Sequence, residues 1–274
     1  MKNIVIIIAI LSMHHTVMAI DFYRVVGGKA AALGRTGICE HSVWALQNNP
    51  AGIAFLRGWQ SGVYYENQWL LKETSFTSGA LVKEVPSVGC FGLSVCQFGG
   101  SHYSETKFGL AYARDFGPYL QVGLQAEYLL LHWGENYPIR GAPSFSLGAQ
   151  SQVTEKLRLG FCLFNPIQIS IKTINEDRLP TVMRFGLSYQ FSDDFIGQCE
   201  AERDNSREGI RLGAGIEYLI AGKISFRAGA QSNPNILSFG VGYQLGRIQT
   251  DIAAQMHQSL GASIQFGMTI RFSS

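Results

Sequence analysis

Few residues in this chain stand at spacings that could carry covalent chemistry. His132 precedes Glu135 by three positions, and a histidine beside a carboxylate can serve a hydrolase if a nucleophile joins them. A solvated loop histidine is the simpler reading, and His102 and His257 fall near connections of the same kind. Gly27-Gly28-Lys29 lacks the Gly-x-x-x-x-Gly-Lys-Ser/Thr spacing that cradles phosphates. The cysteines, Cys39, Cys90, Cys96, Cys162 and Cys199, form no Cys-x-x-Cys pair, and their odd number leaves at least one thiol free. Cys90 and Cys96 share one extended segment and stand roughly 20 Å apart along it, too far to bridge. They read as small wall residues. These patterns predict no catalytic residue, no metal site and no cofactor, and hence no enzyme.

The charged residues that invite explanation sit within alternating segments. Leu120, Val122, Leu124, Ala126 and Tyr128 oppose Gln121, Gly123, Gln125 and Glu127. Met183, Phe185, Leu187, Tyr189 and Phe191 oppose Arg184, Gly186, Ser188 and Gln190. Leu212, Ala214, Ile216 and Tyr218 oppose Arg211, Gly213, Gly215 and Glu217, while Arg227 and Asp251 hold matching positions further on. A period of two specifies strands, not helices. Many segments also carry an apolar-Gly-apolar triplet, such as Phe91-Gly92-Leu93, Val122-Gly123-Leu124 and Phe185-Gly186-Leu187. Glycine weakens a strand unless a bend or another backbone needs the space, so glycines on the polar face suit a curved wall around a crowded interior.

Segment centres near residues 62, 79, 92, 109, 123, 148, 160, 186, 199, 213, 229, 240, 253 and 267 predict about fourteen antiparallel strands. Long connections at His132–Ala142, Asn165–Pro180 and Arg203–Glu208 fall on one side, with short turns at residues 192–194, 221–223 and 246–247 on the other. Short turns at one end and long loops at the other mark a transmembrane β-barrel, with apolar side chains toward lipid and polar ones toward the lumen. The fold class expected is therefore all-β. Glu127, Arg184, Arg211, Glu217, Arg227 and Asp251 become candidate lumen charges. Trp59, Trp69 and Trp133 fit interfacial belts.

Composition agrees. The chain has 274 residues, Lys plus Arg 22 against Asp plus Glu 20, and only 15% charged residues, below the ~25% usual for soluble domains. A balance this close to neutral argues against a nucleic-acid partner. Lys2, the apolar run from Ile4 to Leu11, and Val17-Met18-Ala19 read as a secretory signal peptide over 1–19, cleaved near Ala19. Residues 58–274 are the expected transmembrane barrel, located in a bacterial outer membrane.

Residues 20–57 differ in character. Gly27 to Gly34 is small and apolar, and Ser42 to Leu46 could form a short helix. Asn49 is a good N-cap and Pro50 a good first residue, so Asn49-Pro50 can open a second short helix. Too short to span a membrane, the segment reads as a plug in or beneath the barrel.

Ala30-Ala31-Ala32-Leu33-Gly34, the polar patch Glu40-His41-Ser42, and Asn49-Pro50-Ala51-Gly52-Ile53-Ala54 resemble the opening of the FadL-like outer-membrane proteins, most closely their PorV/PorQ branch. The resemblance covers about residues 26 to 56. It implies a fourteen-stranded barrel with an N-terminal hatch, Asn49, Pro50, Ala51 and Gly52 lying inside as a gate. Gln265, Gly267, Met268, Ile270 and Phe272 resemble the terminal signal that the barrel-insertion machinery recognises, followed here by Ser273-Ser274. The resemblance implies a channel or importer for small hydrophobic compounds, gated by the plug; the alternative is an accessory barrel of type IX protein secretion or surface-protein assembly. The implied partners are outer-membrane lipid, the insertion machinery, and a hydrophobic small molecule or secretion-machinery proteins.

Overall fold

The computed structural model describes residues 22–117, 119–134, 137–171 and 177–272. The signal-peptide expectation and Glu135 lie outside these residues. The alternating segments fold into β1 (Trp59–Asn67), β2 (Ser75–Val85), β3 (Gly89–Gly99), β4 (Tyr103–Asp115), β5 (Leu120–Trp133), β6 (Arg140–Gln152) and β7 (Leu157–Phe164). A two-residue hairpin, β8 (Ser170–Ile171) and β9 (Asp177–Arg178), interrupts the series. The wall resumes with β10 (Val182–Ser192), β11 (Phe195–Asp204), β12 (Arg211–Ile220), β13 (Ile224–Gln231), β14 (Ile236–Leu245), β15 (Ile248–His257) and β16 (Gly261–Phe272).

Fourteen of these strands close into one antiparallel barrel, sealed where Trp59 of β1 faces Phe272 of β16. Closure leaves no strand edge unpaired. The pairings run without register breaks except at Gln190/Ser192, where β10 shifts against β11. Every segment centre read from the sequence falls inside one barrel strand.

The two faces are inverted relative to a soluble barrel. Outward side chains such as Leu93, Phe108, Leu124, Phe185, Ile216 and Phe239 are exposed, whereas Lys107, Glu127, Arg184, Glu217, Arg227 and Asp251 are buried. Apolar groups outside and charges inside are what a wall facing lipid requires. No helix of the described residues is long and apolar enough to cross a membrane.

Both chain ends of the wall lie on the side of the short turns, such as 193–194 and 246–247. The opposite side carries, among the described residues, 68–74, 134, 137–139, 165–171, 177–181 and 205–210. The loop expected at His132–Ala142 is shorter than predicted, because ladder pairing carries β5 on to Trp133. Trp133 also corrects the belt reading. Its parity in β5 turns it inward, where it packs with Tyr103 against a buried apolar cluster.

Residues 22–58 precede β1. Their elements are helices at Gly28–Ala32 and Ala45–Asn48 and a 3-10 turn at Pro50–Phe55. The helix expected at Ser42–Leu46 therefore forms three residues later. Ser42 Oγ accepts the Trp44 N–H at 3.1 Å and organises the entry, and the helix ends at Asn49, which is extended ahead of Pro50. Asn49 does cap the following turn, accepting the Ala51 N–H at 3.2 Å, but that turn is 3-10. The Gly28–Ala32 helix has no counterpart in the sequence reading, which found that stretch merely small and apolar.

Candidate functional site

The site is the interface between the segment before β1 and the inner wall. It is built from side-chain amides that bond backbone, from glycines that admit backbone, and from ion pairs that fill the remaining space. Asn49 belongs to the first group. Its Nδ2 donates to the Ile38 carbonyl at 2.9 Å and to the Ala149 carbonyl of β6 at 3.1 Å. With Oδ1 on Ala51, the one carboxamide ties the N-terminal segment to itself and to the wall. Asn48, its neighbour, exchanges two bonds with the backbone of Val26, at 2.9 and 2.8 Å. Gln150 donates to the Ile38 carbonyl at 2.8 Å and bonds the His41 ring at 2.9 Å, and Gln255 donates to the Ala31 carbonyl at 2.7 Å.

The inward glycines of the triplets are where the segment before β1 touches the wall. A Cβ on Gly123 would lie 2.4 Å from the Ala51 nitrogen, and one on Gly92 would lie 2.3 Å from Leu46. On the opposite wall, Gly213, Gly215 and Gly229 meet Leu33 and Gly34 at 2.2–2.6 Å by the same measure. Gly34 itself takes φ +69° to end its helix and approaches the carbonyls of Ala214 and Ala230. Crowding in the lumen thus has a specific source: backbone of the N-terminal segment occupies the space that side chains would take.

All six candidate charges face this interior. Glu217 accepts Lys29 Nζ of the N-terminal segment at 2.7 Å and also pairs with Arg227, which reaches Asp251. Arg184 lies 2.6 Å from Glu202 and 3.7 Å from Glu200, and Arg211 also pairs with Glu202. Glu127 stands 3.7 Å from Lys107 and accepts from Gln125 and Ser146. Arg184 further donates to the Tyr23 carbonyl at 2.7 Å, and Glu200 accepts the N–H groups of Gly37 and Ile38. Charges this deep need such partners, since an unpaired buried ion costs several kcal/mol.

Four groups of the N-terminal segment are displaced from their ordinary titration ranges. Burial pushes Glu40 up to about 7, with Lys29 pulling the other way, and its Oε2 is buried without a hydrogen-bond partner. Burial, aided by Arg158, lowers His41 to about 3; its ring stacks on Phe55 at 3.6 Å. Burial and then Glu200 raise the Cys39 thiol to about 12, which keeps it protonated and unreactive. Burial and Glu127 hold the Tyr23 hydroxyl well above its usual range. Among the described residues no His, Cys, Asp and Glu group could hold a metal, and the cysteines are free thiols.

Asn48, Gln150, Glu200 and Gln255 are site residues that the sequence reading did not single out. Their signal was available: each wall residue shares the inward parity of the charges, and Asn48 directly precedes the motif.

No protein-family model and no curated protein matches the chain. Solved structures do. The toluene transporter TbuX of Ralstonia pickettii superposes with a TM-score of 0.66 at 16% identity, over 92% of this chain and 100% of that one. A FadL homologue of Pseudomonas aeruginosa gives 0.64 at 14%, over 90% and 98%. The toluene transporter TodX of P. putida gives 0.62 at 13%, over 93% and 100%. The chain shares their fold. The barrel closure and strand number that the FadL-like resemblance implied are present here, and the similarity extends well beyond residues 26 to 56.

Proposed function

We propose that the protein is a FadL-like channel of the outer membrane that admits small hydrophobic compounds, with residues 22–58 as its plug. The supporting observation is a hatch seated in the lumen of a barrel whose solved counterparts are hydrocarbon transporters. Asn49, Pro50, Ala51 and Gly52 anchor the gate to β5 and β6, and Lys29 anchors its other side to Glu217. Export by the signal peptide, insertion through the C-terminal strand and a non-enzymatic role belong to this reading. The test is conductance and toluene uptake in planar bilayers and vesicles. Deleting Lys29 to Ala54 should leave a folded barrel with raised conductance; unchanged conductance and unchanged toluene entry would refute the gate.

A second reading rests on a different observation. Ion pairs and plug backbone fill the lumen so thoroughly that a barrel acting as a PorV/PorQ-like accessory of type IX secretion would have no need to open. Stable co-purification with much larger secretion proteins, together with no toluene entry, would favour it over the channel.

A further inference from the structure

At the mouth opposite the short turns, a cavity of about 250 Å³ lies between the N-terminal segment and the strand ends from β12 round to β1. Its four arginines are already engaged. Arg35 pairs with Glu66, Arg207 with Asp204 and Arg211 with Glu202, and the Arg24 guanidinium lies 3.8 Å from the Phe98 ring centroid. A charged ligand therefore gains little here, and the chemistry of the lining calls for a neutral one. Gln231 lines the cavity and is only 6% exposed, yet its Oε1 has no hydrogen-bond partner. That oxygen calls for a donor. His257 accepts the N–H groups of Ser259 and Leu260 on Nδ1, both at 3.1 Å, which leaves Nε2 to donate and calls for an acceptor. Trp69, Pro234, Ile236 and Leu260 form the apolar lining. The Ser263 hydroxyl accepts the Trp69 backbone N–H at 3.0 Å. Trp69 and Leu70 both hold positive φ, +53° and +56°, a left-handed pair that bulky residues rarely adopt, and the turn keeps the indole at the cavity.

We infer that this cavity binds a single uncharged sugar ring of the hexose type. Hydroxyl groups both donate and accept, so a ring that carries them around its rim satisfies Gln231 and His257 at once. The same ring has an apolar C–H face, which suits a partly buried indole whose body is apolar. An aromatic hydrocarbon fills the space but leaves the Gln231 oxygen without a donor. The ligand is thus opposite in polarity to the hydrophobic cargo of the channel reading, and its binding needs neither that cargo nor an open gate. The sugar arrives free or as the terminal unit of a surface glycolipid; the ring hydroxyls are common to both.

The experiment is saturation-transfer NMR on the full chain in a polyoxyethylene detergent, which carries no sugar. The probes are the methyl glycosides of glucose, galactose and mannose, with cyclohexanol as a ring bearing one hydroxyl. Saturable binding of at least one glycoside is expected, unchanged by added salt and weakened about fivefold or more in Gln231→Leu and in Trp69→Ala. A decyl glycoside of the same sugar held about tenfold more tightly, and weakened by the same variants, would assign the ring to a glycolipid; equal affinity would assign it to a free sugar. No saturable binding of any glycoside, undiminished binding by either variant, or equal binding of cyclohexanol would overturn the inference. Gln231→Leu removes a buried acceptor that has no partner, and Trp69 lies in a loop, so both variants should fold; if one does not, the other decides.

Discussion

Asn49 and Gly148 are fitted to each other: a Cβ on Gly148 would stand 2.1 Å from Asn49 Oδ1. The absence of a side chain at 148 is what lets the carboxamide reach the Ala149 carbonyl. Gly148→Ala should push the motif off the wall, costing about 1–3 kcal/mol as overpacking does. Gly79→Ala, whose Cβ would meet only Val95 at 3.6 Å, should be nearly neutral. Urea unfolding and single-channel conductance of the two variants provide the check, and equal behaviour would contradict the fit.

Asn49→Asp keeps the shape and removes the donors. The Ile38 and Ala149 carbonyls would then face a carboxylate in place of an N–H₂ group. Each buried acceptor left unsatisfied costs about 1–3 kcal/mol, so Asp should be worse than the smaller Ser. The expected readouts are faster proteolysis within residues 22–58 and higher conductance. A tolerated Asp would remove Asn49 from the anchor.

Much of this arrangement was legible in the sequence, and the division has physical causes. Strand number and facing were readable because alternation repeats along every wall strand and a one-residue slip would turn charges into lipid. Inward placement of Glu127, Arg184 and Arg227 followed from the same parity. Which charges pair did not, because Glu217 meets Lys29 across 188 positions of chain and nothing local encodes that contact. The Gly28–Ala32 helix was hidden for another reason: four small residues and one lysine carry no periodic pattern. Trp133 misled because aromatic type suggested an interface while strand parity, a stronger constraint, turned it inward.

Arg227 joins Glu217 to Asp251 in a nearly dry setting. Arg227→Met should cost about 3–5 kcal/mol, because Asp251 then loses its ion-pair partner and stands near a Glu217 held by Lys29 alone. Adding Glu217→Gln and Asp251→Asn should restore much of the loss. Denaturant midpoints of the single and triple variants test this, and a triple variant weaker than the single would argue against the pairing.

Glu40 and His41 should give plug retention opposite dependences on pH. The folded carboxyl of Glu40 holds its proton up to about 7, so its contribution is complete below the ordinary carboxylate pKa and disappears as pH rises through about 7. His41 stays neutral down to about 3; its contribution is complete above the ordinary histidine pKa and disappears as pH falls toward 3. Unfolding from pH 4 to 8 should show Glu40→Gln losing the decline on the alkaline side. His41→Asn should lose the decline on the acid side. Identical profiles in all three proteins would dismiss both assignments.

Cys199 is exposed on the outer wall, while Cys39, Cys90, Cys96 and Cys162 are buried. In lipid vesicles an apolar maleimide should label one thiol per chain, and a charged maleimide none. Labelling of Cys199 by the charged reagent would place β11 in water and overturn its lipid contact.

The segment before β1 abuts both strands of the closing seam. Trp44 lies where a Cβ on Gly62 of β1 would come within 2.8 Å, and the Gly28 nitrogen where one on Gly267 of β16 would come within 3.2 Å. These are the first and last strands of the wall, and no later strand remains to correct their join. Seating of the N-terminal segment and closure of the seam are therefore coupled: each contact the segment makes with β1 and β16 favours their join, and the join in turn completes the surface on which the segment rests.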